Sequence, residues 1–223
     1  MSEAKSALVT GGARGIGAAT ARLFAARGWR VATASLGGGN GSIRADVRDE
    51  AQVARMFEAA GRLDAVVINA GITGPKTRLA AASGEVLRGV VATNLLGALY
   101  CAREEVRREV RSIVFLSSTA TRLGSPGQWV HYAASKGAID VLTNGLAREV
   151  AGQGIRVNAV APGLTLSDPA QAEAIAARLD GMKHEIPMAR AGTAEEVAEA
   201  IFWLCSDAAS YVTGAVLPVA GGR

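Results

Sequence analysis

The alternation of short apolar, β-prone runs with helical segments is what most restricts this chain. Residues 6–10 (Ser-Ala-Leu-Val-Thr) form the first run, and a glycine-rich turn follows. An Ala-rich helix then fills residues 16–27, ending at Gly28, a residue type suited to a helix C-terminus. Further strands are expected at residues 29–35, 43–45, 63–69, 112–117, 156–160 and 216–219. Helices are expected at 49–60, at 83–110 with a break near Gly97, and at 132–152, 170–178 and 194–206. The strands are near-continuous apolar runs, as expected where both faces are covered.

That order implies an α/β fold, a three-layer doubly wound parallel sheet of the Rossmann type. One element is short of the pattern. Residues 36–42, Leu-Gly-Gly-Gly-Asn-Gly-Ser, are poor helix formers, so the helix between the second and third strands is largely missing. No linker or internal repeat is visible, and residues 1–223 read as a single domain. The hydrophobic share is 49% but the aromatic share only 4%, so the core must be built from Ala, Val, Leu and Ile.

The formal net charge is +4, with basic residues dispersed among acids, as in residues 103–109, and no aromatics interleaved. A solvated surface fits better than a nucleic-acid site, and a mildly positive surface favours an anionic ligand. The two cysteines and two histidines show no metal-ligand spacing, so no metal is expected, and Cys101 and Cys205 read as buried thiols. With no signal-like segment before the first strand and no apolar run of ~20 residues, a soluble cytoplasmic protein is expected.

Two local patterns carry chemistry. Thr10-Gly11-Gly12-Ala13-Arg14-Gly15-Ile16-Gly17 joins the first strand to the first helix. Glycines allow a sharp turn and close approach, and the helix N-terminus offers unpaired N–H groups to a pyrophosphate. The second pattern is Tyr132-x3-Lys136, which on a helix stacks both side chains on one face. A neighbouring ammonium favours the phenolate and is expected to lower the tyrosine pKa.

With these motifs in order, the chain resembles the short-chain dehydrogenase/reductase family over nearly its whole length. The turn Gly11-x3-Gly15-x-Gly17 matches the family's glycine motif, with Ile16 inside it, and Asp46-Val47 its adenine-side step. Asn69-Ala70-Gly71 matches the motif after the fourth strand, and Pro162-Gly163 the one after the sixth. The resemblance implies Asn94, Ser118, Tyr132 and Lys136 as the catalytic set. Tyr132 would be the proton donor, Lys136 its tuner and ribose ligand, Ser118 the holder of the substrate oxygen, and Asn94 the holder of a relay water. Thr165 and Ser167, in the segment that forms the family's lid, would lie near the nicotinamide. The implied activity is hydride transfer between a nicotinamide and a carbonyl or secondary alcohol.

Ser35 ends the second strand where NAD-preferring members carry an acid. Arg14 stands where basic residues of the family bind a 2′-phosphate, so NADP(H) is the expected cofactor, with NAD(H) as the alternative. Leu36 stands where many NADP members have a second Arg. His131 is expected at the surface. By resemblance the chain forms a homotetramer, with a dimer as the alternative, aided by small residues such as Ala134 and Gly145 on the Tyr132 helix. Sugar or polyol oxidation, and a non-catalytic cofactor-binding scaffold, are the competing readings. The resemblance points most closely to sugar-dehydrogenase and 3-oxoacyl-reductase members.

Overall fold

The structure is a computed structural model that describes residues 4–39, 41–167 and 172–223. The strands of its main sheet are β1 (Ser6–Thr10), β2 (Arg30–Ser35), β3 (Ile43–Arg44), β4 (Ala65–Ile68), β5 (Ser112–Leu116), β6 (Arg156–Pro162) and, last in the chain, β9 (Val216–Val219). They form one seven-stranded sheet in the order β3-β2-β1-β4-β5-β6-β9, parallel throughout. The register places Leu8 between Ala32 and Val66, so the first strand lies inside the sheet, paired on both edges. Strand order reverses between β1 and β4, and the crevice above their carboxyl ends is where such sheets bind ligands.

Alternate strand residues feed two cores, as the pleat requires. On one face Leu8, Val66, Ile113 and Phe115 pack with α2 (Glu50–Ala60), α4 (Gly97–Arg107) and α6 (Val130–Val150), through Phe57, Cys101 and Ile139. On the other, Val9, Val67, Val114 and Val160 pack with α1 (Gly15–Ala26) and α8 (Ala194–Cys205). Three of the few aromatics meet there, Phe24 lying edge-on to Trp29 and to Phe202 at 5.1 Å each. Both cysteines are buried free thiols, as expected. Among the described residues no helix is long and apolar enough to cross a membrane.

Departures from the expected elements are local. The helix at 83–110 is divided into α3 (Gly84–Val91), a π-helical turn at Ala92–Leu96, and α4. Gly97 is helical and does not itself break the helix; a Cβ there would stand 2.8 Å from Val47 Cγ2. The bulge one turn earlier carries Asn94. Two features went unforeseen: the four-residue α5 (Ala120–Leu123), and a parallel pair of β7 (Thr165–Leu166) with β8 (Gly192–Thr193). The helix expected at 170–178 begins outside the described residues and continues as α7 (Ala172–Met182).

Among the described residues between β2 and β3 no helix forms. The link doubles back on itself, with positive φ at Gly38, Gly39 and Gly41 and a hydrogen bond from Ser42 N to Gly39 O of 2.8 Å. One buried group stands out in α4. Glu105 is fully buried, and among the described residues neither carboxyl oxygen has a hydrogen-bond partner. Burial pushes its pKa well above the ordinary carboxylate value and so favours the neutral acid.

Candidate active site

The glycine turn is shaped by what it must avoid. Gly11 and Gly15 adopt positive φ, and a Cβ on Gly17 would lie 2.3 Å from Gly11 O. The crossing to β4 is stapled by Thr10, whose hydroxyl accepts the N–H groups of Asn69 and Ala70 at 3.1 Å each. Asn69 Nδ2 donates in return to Thr10 O and Gly11 O, at 3.0 and 3.1 Å. Arg14, exposed at the N-cap of α1, makes no side-chain cap hydrogen bond. The helix thus presents its first N–H groups without a side-chain cap, beside glycines that admit no Cβ. These residues fit a dinucleotide's pyrophosphate.

The adenosine end is looser. Ser35 Oγ lies 3.3 Å from Ser42 Oγ, and Leu36 is exposed. The Asp46 carboxylate is taken by Arg48, with Nη2–Oδ2 at 2.6 Å, which holds its pKa below the ordinary range. Val47 is buried against Gly97.

At the reaction end, β5 delivers Ser117 and Ser118, and α6 delivers Tyr132 and Lys136. Lys136 is buried and donates from Nζ to Leu116 O at 2.5 Å; the Nζ sits 5.9 Å from the Tyr132 ring centroid. A Cβ on Gly71 would approach Asn94 Oδ1 at 3.2 Å and Lys136 Nζ at 3.4 Å, which is why the bare backbone of Gly71 closes this side. Burial lowers the Lys136 pKa to about 8, and the Asp140 carboxylate one turn on opposes that shift. Ser117 is spent on Asp140, to which its hydroxyl donates. Ser118 accepts from Ala120 N at 3.1 Å.

The Tyr132 pKa corrects the expectation drawn from spacing. Burial raises it above the ordinary value, and the opposing pulls come from Ser118 and from the positive charge of Arg178. Desolvation of the phenolate outweighs its neighbours here.

Asn94 is 2% exposed and its amide is committed to the protein. Oδ1 accepts Ile72 N and Nδ2 donates to Ile72 O, both at 2.8 Å, while Nδ2 also donates to Ser135 Oγ at 3.0 Å. Ser135 donates to Tyr132 O at 2.7 Å. Asn94 therefore ties the loop after β4 to the turn that bears the tyrosine. His131 is buried, contrary to expectation. Its Nε2 stands 3.1 Å from Thr73 O, in space left by Gly74.

Pro162 ends β6 and Gly163 follows it, packed on Ala220 too closely for a Cβ, at 2.9 Å. Thr165 donates to Gly163 O at 3.1 Å. Ser167 O lies 3.4 Å from where a Gly15 Cβ would stand, so the segment after β6 reaches the glycine turn. The structure thus gathers Asn94, Ser118, Tyr132 and Lys136 at one end of the crevice and the glycine turn in its middle. Ser35, Asp46 and Val47 lie at the far end. Reasoning from motifs placed Thr10 at the head of the glycine turn but not its bonds to Asn69 and Ala70, and it missed the Ser117–Asp140 pair and Trp129 with Arg178. For those two pairs an Asp one turn beyond the lysine was the only signal.

A parallel sheet with a crevice at its switch point, a glycine turn fitted to a pyrophosphate and a Tyr-Lys-Ser cluster beside it define a nicotinamide-dependent oxidoreductase. The family model described as Enoyl-(Acyl carrier protein) reductase matches residues 11–223. An "Uncharacterized oxidoreductase YgfF" of Escherichia coli (strain K12) is 46% identical, over 97% of this chain and 99% of that protein. A "Cis-4-hydroxycyclohexanecarboxylate dehydrogenase" of Sinomonas cyclohexanicum is 38% identical, over 97% and 95%. The crystal structure of a 3-ketoacyl-(acyl-carrier-protein) reductase from Brucella melitensis, complexed with NADH, superposes with a TM-score of 0.89 at 29% identity, covering 99% of this chain and 98% of that one. The chain belongs to the short-chain dehydrogenase/reductase family and is an NAD(P)-dependent oxidoreductase.

Proposed function

We propose that this enzyme interconverts a carbonyl and a secondary alcohol of a small substrate, with NADP(H) as the preferred cofactor and Tyr132 as general acid and base. The observation that carries the reading is the buried Lys136 Nζ standing 5.9 Å from the Tyr132 ring on α6, with Ser118, just past β5, close enough to act on the phenol. The glycine turn with Gly11, Arg14, Gly15, Ile16 and Gly17 holds the pyrophosphate. Asn69, Ala70, Gly71, Pro162, Gly163, Thr165 and Ser167 border the nicotinamide half. Ser35, Asp46 and Val47 border the adenosine.

The bound dihydronicotinamide supplies the hydride that goes to the carbonyl carbon. Ser118 Oγ holds the carbonyl oxygen where negative charge develops. Tyr132 gives its proton to that oxygen, and in the reverse direction takes it back. Lys136 keeps a positive charge beneath the phenol and has two N–H donors beyond its bond to Leu116, enough to hold the nicotinamide ribose. The lone pair left on Asn94 Oδ1 can hold a relay water on the Lys136 side.

Preference for NADP(H) rests on Ser35, which brings no carboxylate to a 2′-phosphate, and on the exposed guanidinium of Arg14 at the helix N-terminus. Val141 on α6 is 73% exposed and lies among Ala134 and Gly145 on the outer side, with Leu99 of α4 also exposed, which supports pairing of these helices into a homotetramer.

The test is a panel of ketones, aldehydes, quinones and 3-oxoacyl thioesters assayed with NADPH and NADH, with sugars in reverse, on the native chain and on Tyr132→Phe. Loss of general acid catalysis should lower kcat about 10²–10⁴-fold while cofactor binding, followed by nicotinamide fluorescence, is retained. Full activity in Tyr132→Phe would sink the assignment.

A further inference from the structure

At the start of the helix that bears Tyr132, residues from three distant parts of the chain meet. Trp129 stands just before α6, and its indole Nε1 donates to Gly74 O at 3.2 Å, which fixes the ring. Arg178 of α7 lies over that ring, its Cζ 5.1 Å from the centroid. Arg178 is exposed, and among the described residues no carboxylate pairs with it. That sets it apart from Arg22, Arg27, Arg48, Arg103, Arg107 and Arg190, each of which has one.

The ring that carries Arg178 lies at the N-cap of α6, three residues before Tyr132, which sets the cation beside the turn that bears the tyrosine. A second cation stands behind it. Arg223 repels Arg178, is only partly offset by Glu185 at 2.6 Å, and among the described residues has no partner for its buried Nε. A guanidinium lying on an aromatic ring is held in a plane, and its N–H fork matches a carboxylate in two-point geometry. Uncharged substrates would leave these cations unanswered.

We propose that Arg178, held on Trp129, anchors a carboxylate of the substrate, so that the enzyme acts on a keto acid or hydroxy acid whose reacting carbon lies at Tyr132 while its acid group faces α7. The proposal rests on the oxidoreductase reading of Tyr132, and names its substrate class. Arg178 is a specificity-determining residue in this scheme and takes no part in proton transfer.

The experiment compares 4-oxocyclohexanecarboxylate with its methyl ester on the native chain and on Arg178→Gln and Arg178→Lys. A charge-assisted hydrogen bond contributes about 1.5–3 kcal/mol, so the acid should exceed the ester in kcat/KM by about 10–100-fold. Arg178→Gln should erase that advantage through KM, lowering the acid far more than the ester, and leave NADPH and NADH affinities unchanged; Arg178→Lys should restore part of it. Equal use of acid and ester by the native chain, or equal loss on both in Arg178→Gln, would overturn the proposal. Weakened binding of either cofactor in Arg178→Gln would also overturn it, assigning Arg178 to the cofactor's phosphates. Calorimetric binding of 4-hydroxycyclohexanecarboxylate against cyclohexanol, on protein loaded with NADP⁺ or NAD⁺, separates the two readings. If no carbonyl is turned over, the oxidoreductase reading fails, whereas Arg178-dependent binding of the acid upholds the anchor and its absence removes it.

Discussion

The two ends of the crevice are built on different terms. At the reaction end Asn94 and Lys136 are almost wholly buried, and their polar atoms are tied to backbone groups of other segments. At the adenosine end Ser35 meets a glycine-rich turn, and Asp46 is held by Arg48, a surface pair of small worth. On the proposed reading a proton must be delivered to one atom with small tolerance, whereas an adenosine can be gripped in several ways. The buried polar bonds lie at the first end and the exposed Asp46–Arg48 pair at the other.

Substitutions at the two ends should therefore differ in kind. Gly17→Ala, between them, should have the largest effect. A Cβ 2.3 Å from Gly11 O forces the turn open, and cofactor affinity should fall more than about 100-fold by fluorescence titration, with about 1–3 kcal/mol lost in denaturant melts. Arg14→Ala should raise the KM for NADPH about 10–100-fold and leave NADH nearly unchanged. An equal effect on both cofactors would remove Arg14 from the 2′-phosphate.

Asp140→Asn sharpens the reaction end. The native Lys136 has its pKa lowered to about 8, so kcat/KM for reduction should fall as pH rises through that value and the ammonium is lost. Without the Asp140 carboxylate the ammonium loses support, and this limb should move to lower pH. An unmoved limb would mean that another group sets it. Arg48→Ala should do least, changing stability by about 1 kcal/mol or less and cofactor KM only a few-fold. A large loss there would show that the Asp46–Arg48 pair is as tightly specified as the reaction end.

Much of this was legible in the sequence, because its signals are short-range. The strand–turn–helix unit at residues 6–27, the glycine spacing and the Tyr132–Lys136 pair each lie within one or two elements. The trimmed link at 36–42 was also visible, since glycines so dense cannot make a helix. What escaped depends on distant pairing or on burial. β7 meets β8 across a gap that no local pattern marks. Arg178 reaches Trp129 only once α7 folds over the site. The direction of the Tyr132 shift needed the depth of the phenol as well as its nearest cation. His131 was read by type, and lies buried because Gly74 leaves room for its ring.

Glu105 carries a consequence for the whole chain. Below about pH 4.5 its carboxyl is protonated whether the chain is folded or not; above that the unfolded chain gives up the proton while the native one keeps it. Its contribution to stability therefore declines as pH rises from about 4.5 toward the raised native value. Between about pH 4.5 and the raised native value, folding captures a proton at this site and unfolding sets it free. A calorimeter would register this as an apparent unfolding enthalpy that changes with the ionisation heat of the buffer, a signal read from the solvent and set by one side chain in α4.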